Sequence, residues 1–329
     1  MRLKTLFFML LLVATTATKA TEPANSEFKP SGKVFGSAFT GFNTLHSNGS
    51  NEKTSKSFVL DRLELGYIYQ FSENWLFKGC FDISDPKDES TLQHTAFARN
   101  AFGEYHNDKL IVRFGMITGI SFNFVENSWG HRYIAKCYQE YFDYSASRDI
   151  GITGSYAFND KLSVDGIISN GEGYKLKQQD TYLEYGIGVT FRPFNRWVFR
   201  GYTDITETDV LNENTYAAMI GYEFNNGSSI GAEYNAQRNG EVTKGKNQSG
   251  CSFYSTVEIC ENWHIYARYD YNDRNETWDS GNNANVFFAG VQFSPRKGIK
   301  ITPNYIHSSH SVASFCTENE YRLSCEFKF

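Results

Sequence analysis

The chain lacks the features that would let it cross a membrane as helices or bind nucleic acid. Its longest apolar run, residues 6–13, is far too short for a transmembrane helix, which needs about 20 apolar residues. Prolines number only 6, no basic tract is present, and the net charge is −5. Nucleic acid is therefore not an expected partner. If the chain lies in a membrane, helices do not put it there.

Cysteine is also sparse, and no pair of cysteines has C-x-x-C spacing. An even number of cysteines in an exported chain permits disulfides. However, four of the six fall inside predicted strands, which favours scattered small apolar side chains over covalent pairing. Both interpretations stay open for Cys80, Cys137, Cys251, Cys260, Cys316 and Cys325.

The amino terminus predicts export. Arg2 and Lys4 precede the apolar run, and small residues follow it up to Ala20. This order is typical of a secretory signal peptide, cleaved after Ala20 or alternatively after Ala17. No cysteine lies at the cleavage site, so we do not expect a lipoprotein anchor. The predicted organisation is a signal peptide over residues 1–20, a polar periplasmic linker over 21–32, and one domain over 33–329.

Aromatic residues are abundant in a polar chain. Phe and Tyr number 28 and 21, yet the mean hydropathy is −0.47. The last residues, "ENEYRLSCEFKF", alternate strictly between apolar and polar side chains, as do residues 62–71, 75–83 and 263–272. Alternation with period two indicates β-strands that have different surroundings on their two faces. The apolar face meets either the core of a soluble sheet or lipid.

The same alternation continues along the whole chain after the linker. We predict sixteen strands, at residues 33–45, 55–71, 75–85, 91–107, 110–118, 148–159, 161–173, 181–194, 197–207, 212–226, 228–241, 246–260, 263–275, 285–295, 299–310 and 318–329.

The lengths of the connections between strands decide whether the apolar faces meet a soluble core or lipid. Each even-numbered strand is followed by a tight turn rich in Asn, Asp and Gly, such as residues 107–108 and 261–262, whereas the other connections are mostly longer. Trp75, Trp197 and Trp263 each follow such a turn directly. Short turns on one side and longer loops on the other are typical of outer-membrane barrels. We therefore predict an all-β, transmembrane antiparallel β-barrel of about 16 strands in a Gram-negative outer membrane, with a soluble exported β-protein as an alternative.

One connection, residues 119–147, is too long for a simple turn and contains eight aromatic residues. A long loop needs a functional account, and this one is too aromatic to be a solvated tail. We predict that it folds inward after strand 5 and narrows the lumen. The candidate constriction residues are Glu126, His131, Arg132, Lys136, Glu140 and Asp143. The candidate pore-wall residues are Arg62, Lys78, Arg113, Arg200, Arg268, Asp270 and Arg322, interspersed with the acids Glu64, Asp82, Asp204 and Glu326.

Two stretches resemble a known family. "LIVRFGMITGISFNFVENSWGHRYIAK" (110–136) is similar to a strand and inward loop of the phosphate-selective porin (porin O and P) family. "SRDIGITGSYAFNDKLSVDGIISNGEG" (147–173) resembles the hairpin that follows in the same family, with an "RD.G" opening and an "NGEG" close. The short Asn turns and compact chain are also similar to porin-type proteins of Bacteroidota. The family's phosphate preference depends on lumen lysines and arginines, whereas the lumen predicted here has mixed charge. The resemblance thus implies a porin and leaves its solute open. The terminal Phe329 also resembles the signal read by the outer-membrane assembly machinery.

The expected function is passive diffusion of small hydrophilic solutes or ions, with no catalysis, metal or cofactor. Expected partners are outer-membrane lipids and the barrel assembly machinery, and family analogy suggests a homotrimer. A surface adhesion or assembly platform without significant conductance is the alternative. A hydrolase is a weaker one, because "HSNG" resembles the active-site stretch of outer-membrane phospholipase A. Its His46 and Ser47 are adjacent, so on a strand they would face opposite sides.

Overall fold

The computed structural model describes residues 28–48, 53–84, 94–275, 277–278, 283–311 and 317–329. Sixteen antiparallel strands form one closed barrel, in which each strand pairs with its neighbours in sequence and the last pairs with the first. The fold prediction is confirmed. The predicted signal peptide lies outside the described residues.

The strands agree with the predicted ones to within a few residues. They are β1 (Ser31–Asn48), β2 (Lys53–Gln70), β3 (Trp75–Ser84), β4 (Thr95–His106), β5 (Leu110–Thr118), β6 (Arg148–Asn159), β7 (Leu162–Ser169), β8 (Glu184–Phe191), β9 (Trp197–Glu207), β10 (Asn212–Glu223), β11 (Ser229–Arg238), β12 (Gln248–Cys260), β13 (Trp263–Arg274), β14 (Ala284–Arg296), β15 (Ile299–His310) and β16 (Thr317–Lys328). Two helices, α1 (Ile120–Trp129) and α2 (Tyr138–Tyr141), follow β5, and a 3₁₀ turn (Gly240–Val242) follows β11. Since β1 begins at Ser31, the last two residues of the predicted linker belong to the barrel.

The alternating carboxy-terminal strand closes the barrel. β16 pairs with β1 from Ser37↔Lys328 to Asn48↔Thr317. Beyond that register, Gly36 and Phe329 exchange two backbone hydrogen bonds, at 3.1 and 3.0 Å. The ring of Phe329 lies over Gly36, where any Cβ would come within 2.6 Å of it. Phe329 therefore completes the pairing between β1 and β16 at the periplasmic end of the barrel.

The outer face of the barrel is apolar and the inner face is polar. Phe58, Phe81 and Phe114 point outward and are 87%, 63% and 72% exposed, whereas the interior residues Asp270 and Asn272 are fully buried. A soluble protein would have the opposite arrangement. The apolar faces therefore meet lipid, and the alternative of a soluble β-protein is wrong.

The three tryptophans that follow short turns, Trp75, Trp197 and Trp263, are the first residues of β3, β9 and β13. Their side chains are exposed on the outer face, directly after short turns. Indole rings favour this depth because they are apolar with one hydrogen-bond donor. They define the periplasmic rim of the barrel.

Two of the register shifts between the described strands bring charged residues to the interior. The register of β2 against β1 skips Asp61, and that of β4 against β3 skips Arg99. A bulge inserts one residue without a partner, so the side-chain phase changes across it. Adjacent residues such as Asp61 and Arg62 then both reach the interior.

Among the described residues, no helix is long and apolar enough to cross a membrane. Five cysteines are free in the described chain, namely Cys80, Cys137, Cys251, Cys260 and Cys325. Cys316 lies outside it.

The lipid-facing assignment predicts a depth-dependent cost for charge on the outer face. Leu65 points outward near mid-height of β2, and Phe71 points outward at the periplasmic end. Leu65→Arg should lower the free energy of unfolding by about 2–4 kcal/mol, and Phe71→Arg by about 1 kcal/mol or less. Urea titration of the protein refolded in lipid vesicles measures both values. Equal costs for the two variants would contradict the assignment.

Candidate functional site

The inward segment (residues 119–147) leaves the wall between β5 and β6 and returns to the same point. Gly119 donates a backbone hydrogen bond to the Ser147 carbonyl at 3.1 Å, which closes the two ends together. α1 ends at Gly130, whose φ of 72° lies in the left-handed region that glycine tolerates. The Gly130 N–H bonds to the Glu126 carbonyl at 3.0 Å. The chain then turns away from α1 and crosses the lumen.

Side-chain hydrogen bonds attach the segment to distant strands. His131 Nε2 lies 2.8 Å from Thr256 Oγ1 on β12. The Tyr133 hydroxyl donates to Gln292 Oε1 on β14 at 2.9 Å and lies 2.7 Å from Thr302 Oγ1 on β15. These strands lie far around the barrel from β5, so the inward segment spans the interior.

A second group of hydrogen bonds holds α2 and the residues after it. The hydroxyls of Tyr138 and Tyr144 both donate to Asn272 Oδ1 on β13, at 2.7 and 2.8 Å. Gln139 Nε2 donates to Asn235 Oδ1 on β11 at 2.6 Å, and Gln237 Nε2 donates to the Tyr144 carbonyl at 2.6 Å. All six side chains are buried, so each bond also satisfies a group that could not reach water.

Aromatic packing fills the space between the segment and that wall. The Trp129 ring lies 6.0, 5.7 and 6.5 Å from the rings of Tyr254, Tyr266 and Phe288. The His131 ring stacks on Tyr266 at 4.5 Å. Burying one such ring contributes roughly 1.5–3 kcal/mol. The segment therefore has its own hydrophobic core inside the barrel.

One charged pair predicted to line the pore wall instead lies beneath the segment. Arg268 and Asp270 are 1% and 0% exposed and bond to each other through Arg268 Nε and Asp270 Oδ1 at 2.8 Å. Arg268 Nη1 also donates to the Lys136 carbonyl at 2.6 Å. Placing Arg268 and Asp270 in the open channel was wrong, because the segment covers β13. Their charges hold the segment in place.

Arg200 has the same role at the start of α1. Its guanidinium forms two 2.8 Å bonds to the Asp165 carboxylate and donates to the Ile120 carbonyl at 3.2 Å. The guanidinium carbon also lies 4.9 Å from the centre of the Phe124 ring. Arg200 is buried. Its predicted position on the open wall is therefore also wrong.

His131 does not supply the predicted charge. Its ring is buried between Trp129 and Tyr266. Burial, followed by the nearby charges of Lys300 and His264, lowers the pKa of His131 to about 3. The imidazole is neutral at physiological pH because burial and the nearby positive charge disfavour its charged form.

The opposite side of the segment carries four of the predicted constriction residues in one ionic network. Arg132 Nε lies 3.1 Å from Glu126 Oε2, and Arg132 Nη2 lies 3.0 Å from Glu140 Oε2. Lys136 Nζ lies 3.9 Å from Glu140 Oε1. Burial opposes ionisation of Glu140, but Arg132 and Lys136 outweigh it and lower the pKa of that carboxyl. Asp143 is exposed and lies apart, with a φ of 57°.

A cavity of about 600 Å³ lies between this network and the wall formed by β1–β4 and β16. On the wall, Arg62 Nε lies 3.0 Å from Asp82 Oδ2, and Arg322 Nη2 lies 2.8 Å from Asp61 Oδ2. The charged lining residues are the acids Asp61, Asp82, Glu140, Asp143, Glu172 and Glu320 and the bases Arg62, Arg132, Lys136, Lys175 and Arg322. The cavity lining thus contains similar numbers of acidic and basic side chains.

The other two predicted wall residues do not line this cavity. Arg113 lies 2.6 Å from Glu104 Oε2, close to the periplasmic turn between β4 and β5. Lys78 Nζ lies 4.8 Å from the centre of the Phe35 ring, also low in the barrel. Both are interior residues below the narrow region.

Several residues at the cavity were missed. Asp61 and Arg99 enter the interior through bulges, and no feature of the sequence marks a bulge. Arg99 pairs with Glu64 and lies 3.7 Å from Asp82 Oδ2. Glu172 and Lys175 come from the β7–β8 connection, whereas the predicted strand 161–173 had included Glu172; β7 ends at Ser169.

The quoted family motifs explain how that connection is positioned. The Asp149 carboxylate accepts hydrogen bonds from the backbone N–H groups of Ile150 and Gly171, and the Tyr174 N–H donates to the Arg148 carbonyl at 3.0 Å. The "RDIG" (148–151) and "NGEG" (170–173) stretches are therefore joined by hydrogen bonds, and we call this pair of stretches the clasp. The clasp fixes Glu172 and Tyr174 beside the cavity.

His46 and Ser47 do not form a catalytic pair. His46 Nδ1 lies 3.0 Å from Thr54 Oγ1, and its ring contacts that of Tyr321 on the outer face. Ser47 is the next strand residue and points to the other face. The resemblance to a phospholipase motif thus has no geometric support.

No family model matches the chain, and no curated protein matches it. Solved structures do resemble it. The outer membrane channel DcaP of Acinetobacter baumannii superposes with a TM-score of 0.68 at 12% identity, over 94% of this chain and 100% of that one. An anion-selective porin from Comamonas acidovorans gives 0.66 at 9%, over 92% and 100%. The trimer form of OmpT, an outer membrane protein of Vibrio cholerae, gives 0.61 at 10%, over 92% and 100%.

These likenesses establish the fold. The chain has the outer-membrane porin fold. Together with the apolar outer face, this fold locates the chain in the Gram-negative outer membrane. The narrower resemblance to phosphate-selective porins is not confirmed by these comparisons.

The buried ion pair under the inward segment predicts a large and specific loss of stability. Asp270→Asn leaves the Arg268 guanidinium buried without its carboxylate, which should cost about 3–5 kcal/mol. Denaturant titration of the refolded protein measures the change. Asp273→Asn makes the same chemical change at an exposed position of β13 and should cost about 0.5 kcal/mol or less. Similar losses for both variants would mean that the pair does not support the structure.

Proposed function

We propose that the protein is a porin through which small hydrophilic solutes or ions diffuse passively, and that the inward segment forms its constriction. The observation that carries the proposal is the cavity of about 600 Å³ left between the ionic network of the segment and the opposite wall. A barrel of this strand number is wide enough for an aqueous channel. No chemical step is needed.

The position of the segment supports a narrowing on one side only. It is bonded to β11, β13, β14 and β15, so that half of the interior is filled by aromatic side chains. The half against β1–β4 and β16 keeps charged side chains around open volume. A solute would pass along this second half.

The charge of the lining supports weak ion preference. Six acids and five bases line the cavity, and neighbouring members are paired, as in Arg62–Asp82 and Arg322–Asp61. Rings of one sign of charge set strong ion selectivity. Paired charges of both signs instead keep the path hydrated while favouring neither ion. Phosphate selectivity has no support from this lining.

We also propose that the barrel is a homotrimer, the form in which the similar OmpT of Vibrio cholerae is described. The barrel assembly machinery and outer-membrane lipids remain the proposed partners for folding and insertion, and the exposed apolar outer face of the barrel is the feature that supports them.

Planar-bilayer recording of the refolded protein tests the porin proposal. Stepwise current increases are expected as single channels insert. The proposal would be refuted if refolded barrels carried no current under lipid and salt conditions in which they insert into the bilayer. That result would favour the surface-platform alternative.

Removing the constriction should widen the path. Deletion of residues 121–145 should raise single-channel conductance, because it removes the inward segment from the lumen of the barrel. Since the deletion also exposes Arg268 and Asp270, the double variant Arg132→Ala, Glu140→Ala is a milder test. It removes one charge of each sign beside the cavity and should raise conductance by less. Unchanged conductance in both would show that the segment does not constrict.

Charge at the cavity should tune ion preference. Asp143 is exposed at the cavity and has a left-handed backbone conformation that Asn also tolerates, so Asp143→Asn changes charge with little strain. The reversal potential in a salt gradient should shift toward anions. Asp108→Asn, in the exposed periplasmic turn after β4, is the matched control and should shift it less. An equal or absent shift would place the solute path elsewhere.

A further inference from the structure

The first strand extends beyond the strand that closes the barrel against it. Residues 31–35 of β1 pair with residues 66–70 of β2. On the other side, β16 ends at Lys328, and the next residue, Phe329, bonds through its backbone to Gly36. Among the described residues, the part of β1 below Gly36 therefore pairs with a strand on one side only. We call residues 31–35 the β1 edge; it lies at the periplasmic rim.

The register shows which backbone groups face the open side. Gly36 and Phe329 exchange both backbone hydrogen bonds, so the N–H and C=O of Gly36 point toward β16. Backbone direction alternates along a strand, so Val34 and Gly32 point the same way. Within the described chain, no backbone hydrogen bond reaches them from that side. Such an edge is a template for another strand.

The two faces of the β1 edge differ in chemistry. On the outer face, Val34 is 56% exposed, and Phe329 is exposed beside it. Lys33 alternates with Val34 and belongs to the inner face, as does Lys328, which is paired with the buried inner residue Ser37. Lys78 lies over the ring of Phe35 on the same face. A strand lying here would meet apolar groups on one side and lysines on the other.

These lysines have no acidic partner in the described part of the chain. None of Lys33, Lys78 and Lys328 forms an ion pair there, whereas nearby Lys300 lies 2.9 Å from Glu326 Oε2. The adjacent turn between β14 and β15 adds the exposed Arg296 and Lys297. The β1 edge thus carries a surplus of positive charge.

We propose that the β1 edge binds an extended acidic segment of a periplasmic protein, which adds to β1 as a strand. An antiparallel strand would continue the course of β16 and begin beside Phe329. Its backbone would bond to Val34 and Gly32. Alternate acidic side chains would face Lys33 and Lys328, and apolar ones would lie against Val34 and Phe329. Strand addition gives affinity through the backbone and specificity through alternate side chains. Lipid headgroups fit less well, because the lysines lie on the inner face.

The test uses the full-length mature chain refolded in detergent micelles and a labelled peptide, Val-Glu-Val-Glu-Val. Binding is followed by fluorescence anisotropy, and hydrogen exchange reports the Val34 and Gly32 amides. We expect saturable binding that weakens with salt, together with slower exchange at both amides. The same peptide with N-methylated backbone, or with Lys in place of Glu, should bind at least about tenfold more weakly.

Variants separate the backbone contribution from that of charge. Val34→Pro removes the edge N–H, and Lys33→Glu with Lys328→Glu reverses the inner charge; each should weaken binding about tenfold. Lys109→Glu, in another periplasmic turn, should leave binding unchanged. Equal binding by the N-methylated peptide, or by the charge-reversed variant, would overturn the proposal. So would slow exchange at Val34 before peptide is added, since the chain itself or a second copy would then occupy the edge. Slow exchange caused by anionic lipid alone, with no effect of the peptide, would also overturn it.

Discussion

Hydrocarbon cannot solvate a backbone amide, and this constraint shapes the whole molecule. In lipid, each N–H and C=O must find a partner within the protein, so a sheet that crosses the membrane must close on itself. Sixteen strands do so, and the seam between β1 and β16 completes the cylinder. The alternation of side chains follows from the same geometry. One face of every strand meets lipid, and the other must be polar enough to meet water or another polar surface.

The outer face must be apolar to meet lipid, whereas the inward segment must pack against a polar inner wall. A chain that crosses a polar lumen must bring both apolar area and hydrogen-bond partners. The segment does so with tyrosines, whose rings pack together while the hydroxyls of Tyr133, Tyr138 and Tyr144 reach Gln292, Thr302 and Asn272. The wall beneath it is accordingly rich in buried amides and hydroxyls. Arg268 and Arg200 complete the attachment by donating to backbone carbonyls of the segment.

The sequence was sufficient for the fold because a barrel repeats one rule sixteen times. Alternation located the strands, and the short turns ordered them in hairpins. The site was less predictable, because alternation shows only that a side chain faces inward. It cannot show what covers that side chain. Arg268 and Asp270 face inward as predicted, yet the segment buries them, and His131 packs against Tyr266 instead of carrying charge. Bulges at Asp61 and Arg99 broke the period itself.

The attachment of the segment to one side makes the lumen asymmetric, and this asymmetry decides which charges can act on a solute. On the covered side, the Arg268–Asp270 pair is fully buried, so its two charges compensate each other within hydrogen-bond distance and stabilise the structure. On the open side, the pairs Asp61–Arg322 and Arg132–Glu140 border the cavity, where water can compete for each member. Coulombic attraction weakens as the local dielectric rises. In the proposed porin, a charged solute can therefore exchange with one partner of an open pair, whereas the buried Arg268–Asp270 pair stays closed to it.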